Sequence, residues 1–213
     1  MTATAPPPRE DGRGGRIRQQ QECAILQAAE QVFARAGFQG ATMAEIALRA
    51  GLPKSNLHYY FGTKAEVYRA VLGHILRLWL AETDCITPDA DPREALGHYI
   101  AAKMRLTAER PDASRVFANE LLHGAPEIGD YLRGELRTLV ADKAQVIEGW
   151  IAAGRMAPVD PVHLFISLWA LTQTYADFET QVCAVLGRPQ LGPDDYRRAT
   201  AHVQALVLRG CGL

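Results

Sequence analysis

Residues 42–64 read TMAEIALRAGLPKSNLHYYFGTK, and this stretch decides the fold of the chain. Two short segments with helical apolar spacing meet at Ala50-Gly51-Leu52, where the glycine allows a tight turn that a Cβ would hinder. Thr42 can cap the first segment together with Glu45 three residues later. The pattern predicts two short helices held together by a small core of Ala44, Ile46, Ala47, Leu52, Leu57 and Phe61.

The second short helix follows Pro53 and has a polar N-terminal side. In helix-turn-helix proteins this side of the second helix enters the DNA major groove. Lys54 can reach guanine acceptors or a phosphate, and Asn56 can pair with adenine. The contacts predicted on this helix are Lys54, Ser55, Asn56, His58, Tyr59 and Tyr60.

Neighbouring residues suit the DNA backbone. Tyr60 and Lys64 can contact phosphates, and the amides at the helix start marked by Thr42 offer a site for an anion. Two arginines of the preceding basic arm, Arg16 and Arg18, can bind phosphates or enter a minor groove. These residues predict double-stranded DNA as a partner.

The stretch T-M-A-E-I-A-L-R-A-G-L-P-K-S-N-L-H-Y-Y-F-G-T-K-A-E-V resembles the DNA-binding signature of the TetR family. Two positions depart from it, since Pro53 stands where a Ser or Thr cap is usual and Val67 where Leu is common. The resemblance implies an all-α regulator that binds a palindromic operator as a homodimer. It also implies a separate domain for a small effector, whose binding relieves repression.

The rest of the chain divides into helices at its proline, glycine and capping residues. The first helix runs from about Gln19 to Ala36 and stops at Gly37. Later helices start at Thr63, Asp91-Pro92, Asp160-Pro161 and Gly192-Pro193. We predict an all-α fold of about nine helices. Its domains are a disordered basic arm (1–18), a helix-turn-helix domain (19–64) and an effector-binding and dimerisation domain (65–213).

Composition narrows the class of protein. Residues 1–64 carry a net charge of +3 and the remainder −4, as expected of a DNA-binding head on a sensing body. The four cysteines are scattered, without zinc or disulfide spacing, so we expect no metal and no cofactor. The longest apolar run, 164–171, is too short to span a bilayer, and we expect a cytoplasmic protein. Motifs of hydrolases, metalloproteases and phosphate loops are absent from the sequence, and we predict no catalytic residues.

Two later stretches point to a subgroup. Residues 111–126 (PDASRVFANELLHGAP) and 158–178 (PVDPVHLFISLWALTQTYADF) are similar to the pyrimidine-utilisation regulators within the TetR family. The block W-A-x-T-Q-x-Y-A-D-F is the most specific part of this similarity. It implies uracil or thymine as the effector.

Trp169 and Gln173 stand four residues apart, and therefore on one face of a helix. The carboxamide matches the N–H and C=O of a pyrimidine-dione edge, and the indole offers a stacking surface. We predict that Trp79 and Arg115 complete this site, with Arg115 donating to a ring carbonyl. By helical spacing, Tyr175 and Asp177 point elsewhere.

Each of these residues also has a structural interpretation. Either tryptophan can be ordinary core, and Gln173 can bind backbone or lie in a dimer seam. Arg115 can instead pair with Glu120 or Glu109. For the dimer we expect apolar surfaces on the last two predicted helices, made of Leu164, Leu168 and Leu171 with Val203, Leu206 and Val207.

Three other functions stay open at this point. The chain can be a TetR-like repressor of a different effector, such as a hydrophobic drug or an acyl compound, which requires a larger and more apolar pocket. It can also be an all-α enzyme, or a helical interaction module that never binds DNA. The absence of catalytic motifs from the sequence argues against the enzyme, and the recognition signature and the basic arm argue against the interaction module.

Overall fold

The structure, a computed structural model, describes the backbone of residues 11–213 and the side chains of residues 18–213. The chain divides into two compact units, residues 1–71 and 72–213. The boundary falls seven residues after the one we predicted at 64/65. Residues 1–10 of the predicted arm lie outside the described residues.

All regular elements of the described residues are helical, which confirms the all-α prediction. Ten helices are present there: α1 (Asp11–Gly40), α2 (Met43–Arg49), α3 (Lys54–Tyr60), α4 (Lys64–Ala81, followed by a 3-10 turn at Glu82–Cys85), α5 (Pro92–Glu109), α6 (Pro111–Leu122), α7 (129–152), α8 (Pro161–Asp177), α9 (Glu179–Leu186) and α10 (Pro193–Gly210). Helix α7 contains a π-helical segment at Leu132–Leu136. We did not predict α9 as a separate helix, because only Phe178 interrupts the helical pattern and no glycine or proline marks the break.

Helix α1 corrects the predicted arm. It begins at Asp11 and not at Gln19, since extending an existing helix adds one hydrogen bond per residue without a second nucleation step. Gly37 interrupts it with φ 66° and ψ 176°, as the sequence indicated, and one further turn follows.

The predicted helix starts are confirmed by their capping hydrogen bonds. The Thr42 hydroxyl accepts from the Glu45 amide at 3.1 Å. The carboxylates of Asp91 and Asp160 accept from the amides three residues later at 3.0 Å each. In both of the latter helices a proline occupies the first helical position.

In the first unit, α2 and α3 share a small core in which Ile46, Ala47, Leu57 and Phe61 are buried. Leu52 is half-buried. The prediction for Ala44 is wrong, because Ala44 lies on the exposed outer face of α2.

In the second unit, α5 packs against both α8 and α10. Leu168, Val203 and Val207 are buried in this core, so the prediction that they form dimer surface is wrong. Leu164 and Leu171 are half-buried against the same core. Of the predicted set, only Leu206 is a strongly exposed apolar residue. Other exposed apolar side chains on α8, its end and α9 are Val162, Ile166, Phe178, Val185 and Leu186.

No helix in the described part of the chain has the length and apolar character needed to cross a membrane.

Candidate nucleic-acid interface and ligand cavity

Helix α3 presents most of its polar side chains to solvent. Leu57 is its one buried residue and anchors the helix to the core. The predicted contact residues Lys54, Ser55, Asn56, His58 and Tyr59 are exposed, and Tyr60 is half-buried. The exposed set combines a cation, hydrogen-bonding groups and an aromatic ring, which are the groups that read base edges and phosphates.

Tyr59 is the most exposed aromatic side chain of this surface, at 74%. Its ring meets Tyr60 edge to face, with centroids 5.5 Å apart. The guanidinium of Arg18 lies 5.9 Å from the Tyr59 ring centroid. Arg18 of α1 is thus next to α3, whereas the side chain of Arg16 is outside the described residues.

Lys64 has a structural role in the first unit. Its ammonium donates to the backbone carbonyls of Gln39 (3.2 Å) and Ala41 (2.9 Å) and lies 4.7 Å from the ring centroid of Phe38. These contacts hold the end of α1 to the start of α4. We therefore leave Lys64 out of the phosphate contacts proposed below.

The second unit contains a cavity of about 220 Å³. It brings together three of the four predicted ligand residues, Trp79, Trp169 and Gln173. Helices α4, α5, α6, α7 and α8 supply the lining: Leu76, Trp79, Leu80, Tyr99, Lys103, Phe117, Leu121, Leu132, Leu136, Trp169 and Gln173. Tyr175 and Asp177 are not among these residues, as helical spacing predicted.

Arg115 does not line this cavity, so the cavity does not support its prediction as a ligand contact. Its guanidinium forms ion pairs with Asp112 (3.2 Å) and Glu179, and it donates to the carbonyl of Ala176 (3.3 Å). Position 115 of α6 therefore faces the junction of α8 and α9. The alternative prediction, that Arg115 forms a structural ion pair, is confirmed. Its partners are Asp112 and Glu179, however, and not Glu120 or Glu109.

The two tryptophans form apolar walls of the cavity. Trp79 is 9% exposed and meets Phe117 edge to face at 4.9 Å between centroids. The ring centroid of Trp169 lies 6.2 Å from that of Phe165, and the Trp169 indole N–H donates to the Tyr99 hydroxyl at 3.0 Å. Both indoles are thus oriented by contacts with neighbouring side chains.

The Tyr99 hydroxyl accepts the bond from Trp169 and keeps its own proton. Burial raises the pKa of Tyr99 to about 12, the hydrogen bond from Trp169 opposing this only in part. Tyr99 is therefore a neutral hydroxyl donor at physiological pH.

Lys103 is the cavity residue that sequence reasoning missed. Its side chain is 3% exposed, and its ammonium lies 4.1 Å from the Trp79 ring centroid. Burial lowers the pKa of Lys103 to about 8, against the attraction of Asp177 and Glu82. A signal was present, because Lys103 stands four residues after Tyr99 on the apolar face of α5.

The Lys103 ammonium has no hydrogen-bond or ion-pair partner among the side chains that the structure describes. Within that same part of the chain, no fully enclosed polar side-chain atom lacks a partner. The ammonium is therefore in contact with the open cavity. The Gln173 carboxamide lines the same cavity, also without a partner in residues 18–213.

Asp177 is not part of the cavity lining and belongs to a polar cluster with Ser114 and Arg115. It accepts a hydrogen bond of 2.5 Å from the Ser114 hydroxyl. Burial raises its pKa, and the bond from Ser114 and the charges of Lys103 and Arg115 oppose the rise. Within the described residues, no group of three or more acidic, histidine or cysteine side chains is arranged to hold a metal ion.

Two family models cover nearly all of the chain. Residues 25–71 match the model described as bacterial regulatory proteins, tetR family, and residues 72–213 match the YcdC-like protein, C-terminal region. The chain is 40% identical to the HTH-type transcriptional regulator RutR of Escherichia coli K12, over 93% of this chain and 94% of RutR. It is 31% identical to the HTH-type transcriptional repressor NicS of Pseudomonas putida, over 62% of this chain and 61% of NicS.

Solved structures agree on the fold. The ketosteroid transcriptional regulator KstR2 of Mycobacterium tuberculosis superimposes with a TM-score of 0.70, covering 90% of this chain and 94% of that one at 20% identity. A TetR-like transcriptional regulator from Rhodococcus sp. RHA1 gives 0.63 at 22% identity, over 89% and 94% of the two chains. At these identities the likeness concerns the fold alone.

Proposed function

Because the chain belongs to the tetR family of bacterial regulatory proteins, we propose that it is a dimeric repressor that uracil or thymine releases from its operator. The single observation that carries the effector class is the small cavity lined by Trp79, Trp169 and Gln173. The resemblance of residues 111–126 and 158–178 to the pyrimidine-utilisation regulators supports the same class, and the similarity to RutR extends over most of the chain.

The size of the cavity favours a small effector over a drug or an acyl chain. Its volume of about 220 Å³ is below the range of about 300–1,000 Å³ that drug-sized ligands occupy. A pyrimidine-dione has about eight non-hydrogen atoms, and the best ligands of this size gain about 1.5 kcal/mol per atom at most. We therefore expect binding in the micromolar range, about −8 kcal/mol.

The chemistry of the lining suits a flat ring with a polar edge. An indole face can stack on the ring, while the carboxamide of Gln173 offers one acceptor and two donors to its N–H and C=O groups. Because Gln173 has no partner among the described side chains, it can serve a ligand without breaking an existing bond.

For DNA, we propose that α3 enters the major groove and that its exposed side chains, Lys54 to Tyr60, carry the base and phosphate contacts. Arg18 beside Tyr59 would add a phosphate contact at the edge of this surface. Two copies of one short helix would match a palindromic operator when the protein is dimeric. Because three residues of the predicted dimer surface are buried, we propose a different surface for the dimer. It consists of the exposed side chains of Val162 and Ile166 on α8 and Leu206 on α10.

We propose population shift as the mechanism of release. The effector must bind better to a state whose two recognition helices are wrongly spaced for adjacent major grooves. Helix α4 includes residues of both units, and Trp79 near its end lines the cavity. Trp79→Ala should therefore weaken the response to effector more than operator binding. Equal losses of both would contradict α4 as the lever.

Calorimetric titration with uracil tests the proposed effector. The wild-type protein should bind at micromolar concentrations, and Gln173→Ala should weaken binding at least tenfold. Gln145→Ala, an exposed glutamine of α7, is the matched control and should bind like the wild type. If millimolar uracil gives no heat of binding, uracil is not the effector. The proposal that the protein is a DNA-binding regulator would be unaffected.

A further inference from the structure

We propose that Lys103 is the specificity-determining residue of the cavity and selects a ring carbonyl oxygen over an amino group. This inference rests on the proposed function, because it assumes a pyrimidine in the cavity. It concerns a residue that neither the sequence pattern nor the family similarity assigned to the ligand.

The position of Lys103 is fixed by its surroundings. Its ammonium sits against the face of Trp79, 4.1 Å from the ring centroid, and the edge-to-face contact with Phe117 holds that indole in turn. A cation over an indole face is favourable, but the ring accepts no conventional hydrogen bond. The N–H groups of the ammonium that point away from the ring are therefore available to an oxygen of the ligand.

A second donor stands on the same helix. Tyr99 precedes Lys103 by one turn of α5, and its hydroxyl already accepts from Trp169 at 3.0 Å. The proton of this hydroxyl is not used in that bond and can be donated to the ligand. Of the three polar residues that line the cavity, Lys103 can only donate, Tyr99 has its proton to donate, and Gln173 can both donate and accept.

A donor-rich edge distinguishes pyrimidines by one substituent. Uracil and thymine carry a carbonyl oxygen on the ring carbon where cytosine carries an amino group. The oxygen accepts from the ammonium, whereas the amino group would place donor against donor and leave both buried N–H groups unpaired. Leaving a buried polar group without a partner is more costly than the net gain of an average hydrogen bond, so the discrimination should be strong.

The same burial makes Lys103 unfavourable for the empty protein. A cation that is 3% exposed and has no ion pair among the described residues is poorly solvated. Replacing it with methionine, which fills a similar volume, should stabilise the ligand-free protein. A lysine with only a structural role would show the opposite sign.

The test is titration of wild type, Lys103→Met and Lys143→Met with uracil and with cytosine, together with their melting temperatures. Lys143 is the matched control, since its ammonium donates to the Ile86 carbonyl at 3.1 Å away from the cavity. We expect wild type and Lys143→Met to prefer uracil by about a hundredfold. Lys103→Met should lose at least about tenfold in uracil affinity, bring the preference close to one, and melt a few degrees higher.

The outcomes separate this inference from the proposed function. If wild type binds uracil and Lys103→Met keeps the full preference over cytosine, Lys103 is not the selector and the inference is overturned alone. If Lys103→Met loses affinity for both pyrimidines equally and melts lower, its role is structural and the inference is again wrong. If wild type binds no uracil, the proposed effector is wrong, and so is the inference about Lys103 that rests on it.

Discussion

The exposed side of α3 and the cavity of the second unit use polar side chains under opposite conditions. On α3, Lys54, Asn56 and Tyr59 stand in water, where their charges and hydrogen bonds are satisfied. In the cavity, Lys103 and Tyr99 are 3% and 2% exposed, and Lys103 has no ion pair among the described residues. Polar groups on the first surface cost the fold little, whereas those in the cavity reduce its stability until a ligand pairs with them.

This difference gives a way to distinguish functional from structural polar residues in the same unit. Lys103 and Arg115 are both cations beside Asp177, yet Arg115 has two ion pairs and a carbonyl acceptor while Lys103 has none. Arg115 stabilises the junction of α8 and α9. Lys103 is available to a ligand.

The largest effect should come from the water-exposed surface. Lys54→Ala should weaken operator binding by about a hundredfold, because one lost contact of about 1–3 kcal/mol occurs twice in a dimer. The melting temperature should not change, since Lys54 is exposed. Gel shifts at two salt concentrations measure the loss and the smaller salt dependence.

The control for Lys54 is Arg35→Ala, an exposed cation of α1 outside the predicted surface. It should bind the operator like the wild type. Equal losses in the two variants would mean that α3 has no special part in binding and that only the total charge matters.

The next effect is a pH dependence specific to Lys103. Its pKa falls from 10.5 when unfolded to about 8 when folded, so the unfolded state binds more protons between these values. Stability therefore rises with pH across this window, by about 2 kcal/mol between pH 8 and pH 10. The charges that act on the ammonium are those of Asp177 and Glu82. Tyr99 lines the same cavity, and because burial raises its pKa to about 12, its titration opposes the trend only weakly below pH 10.

Denaturant titrations of wild type and Lys103→Met at pH 7, 8, 9 and 10 measure this dependence. The stability advantage of the variant should be greatest at pH 7 and should shrink as the pH rises. A gap that stays constant with pH would show that Lys103 is not a buried cation in the folded protein.

Arg115→Met should act with the opposite sign to Lys103→Met and more weakly. Losing partly exposed ion pairs to Asp112 and Glu179 should lower stability by about 1 kcal/mol, or about 3 °C in melting temperature. Uracil affinity should stay within about twofold of wild type, since Arg115 does not line the cavity. A tenfold loss of affinity by calorimetry would restore Arg115 as a ligand contact.

The smallest effect concerns the turn that holds α3 in place. Gly51 has φ +67° and open space around its missing Cβ, so Gly51→Ala should cost about 1 kcal/mol through backbone strain alone. Gly149, in the interior of α7, also has open space but helical geometry, and Gly149→Ala should stabilise by about 0.5–1 kcal/mol. Thermal unfolding should show a lower melting temperature for Gly51→Ala and a higher one for Gly149→Ala. Melting temperatures that both rise or both fall would contradict this explanation.

The recognition helix could be predicted almost completely from the sequence. The turn before α3, the cap of the preceding helix α2 at Thr42 and the buried Leu57 of α3 all depend on residues within one short stretch. Lys64 was the exception, because its partners at Gln39 and Ala41 come from α1 and the approach to α2, which no local pattern connects with it.

The cavity could be predicted only in part. The spacing of Trp169 and Gln173 was enough to place them on one helix face. The prediction that Trp79 of α4 lies with them is confirmed, because all three residues line the cavity. Arg115 was predicted to line the site and Lys103 was not considered, because the direction that each side chain takes depends on how α5 and α6 pack against α8. For the same reason Leu168, Val203 and Val207 proved to be core and not dimer surface.

By itself, therefore, the sequence determined the all-α class, most helix boundaries and the exposed polar side of α3 that we propose binds DNA, since caps, turns and apolar periodicity act over a few residues. Only the tertiary structure decided which cations are paired, which apolar faces are buried and which polar groups face the cavity. Those properties depend on contacts between helices that are far apart in the chain. The partners of a charged side chain therefore cannot be predicted from the residues around it in the sequence.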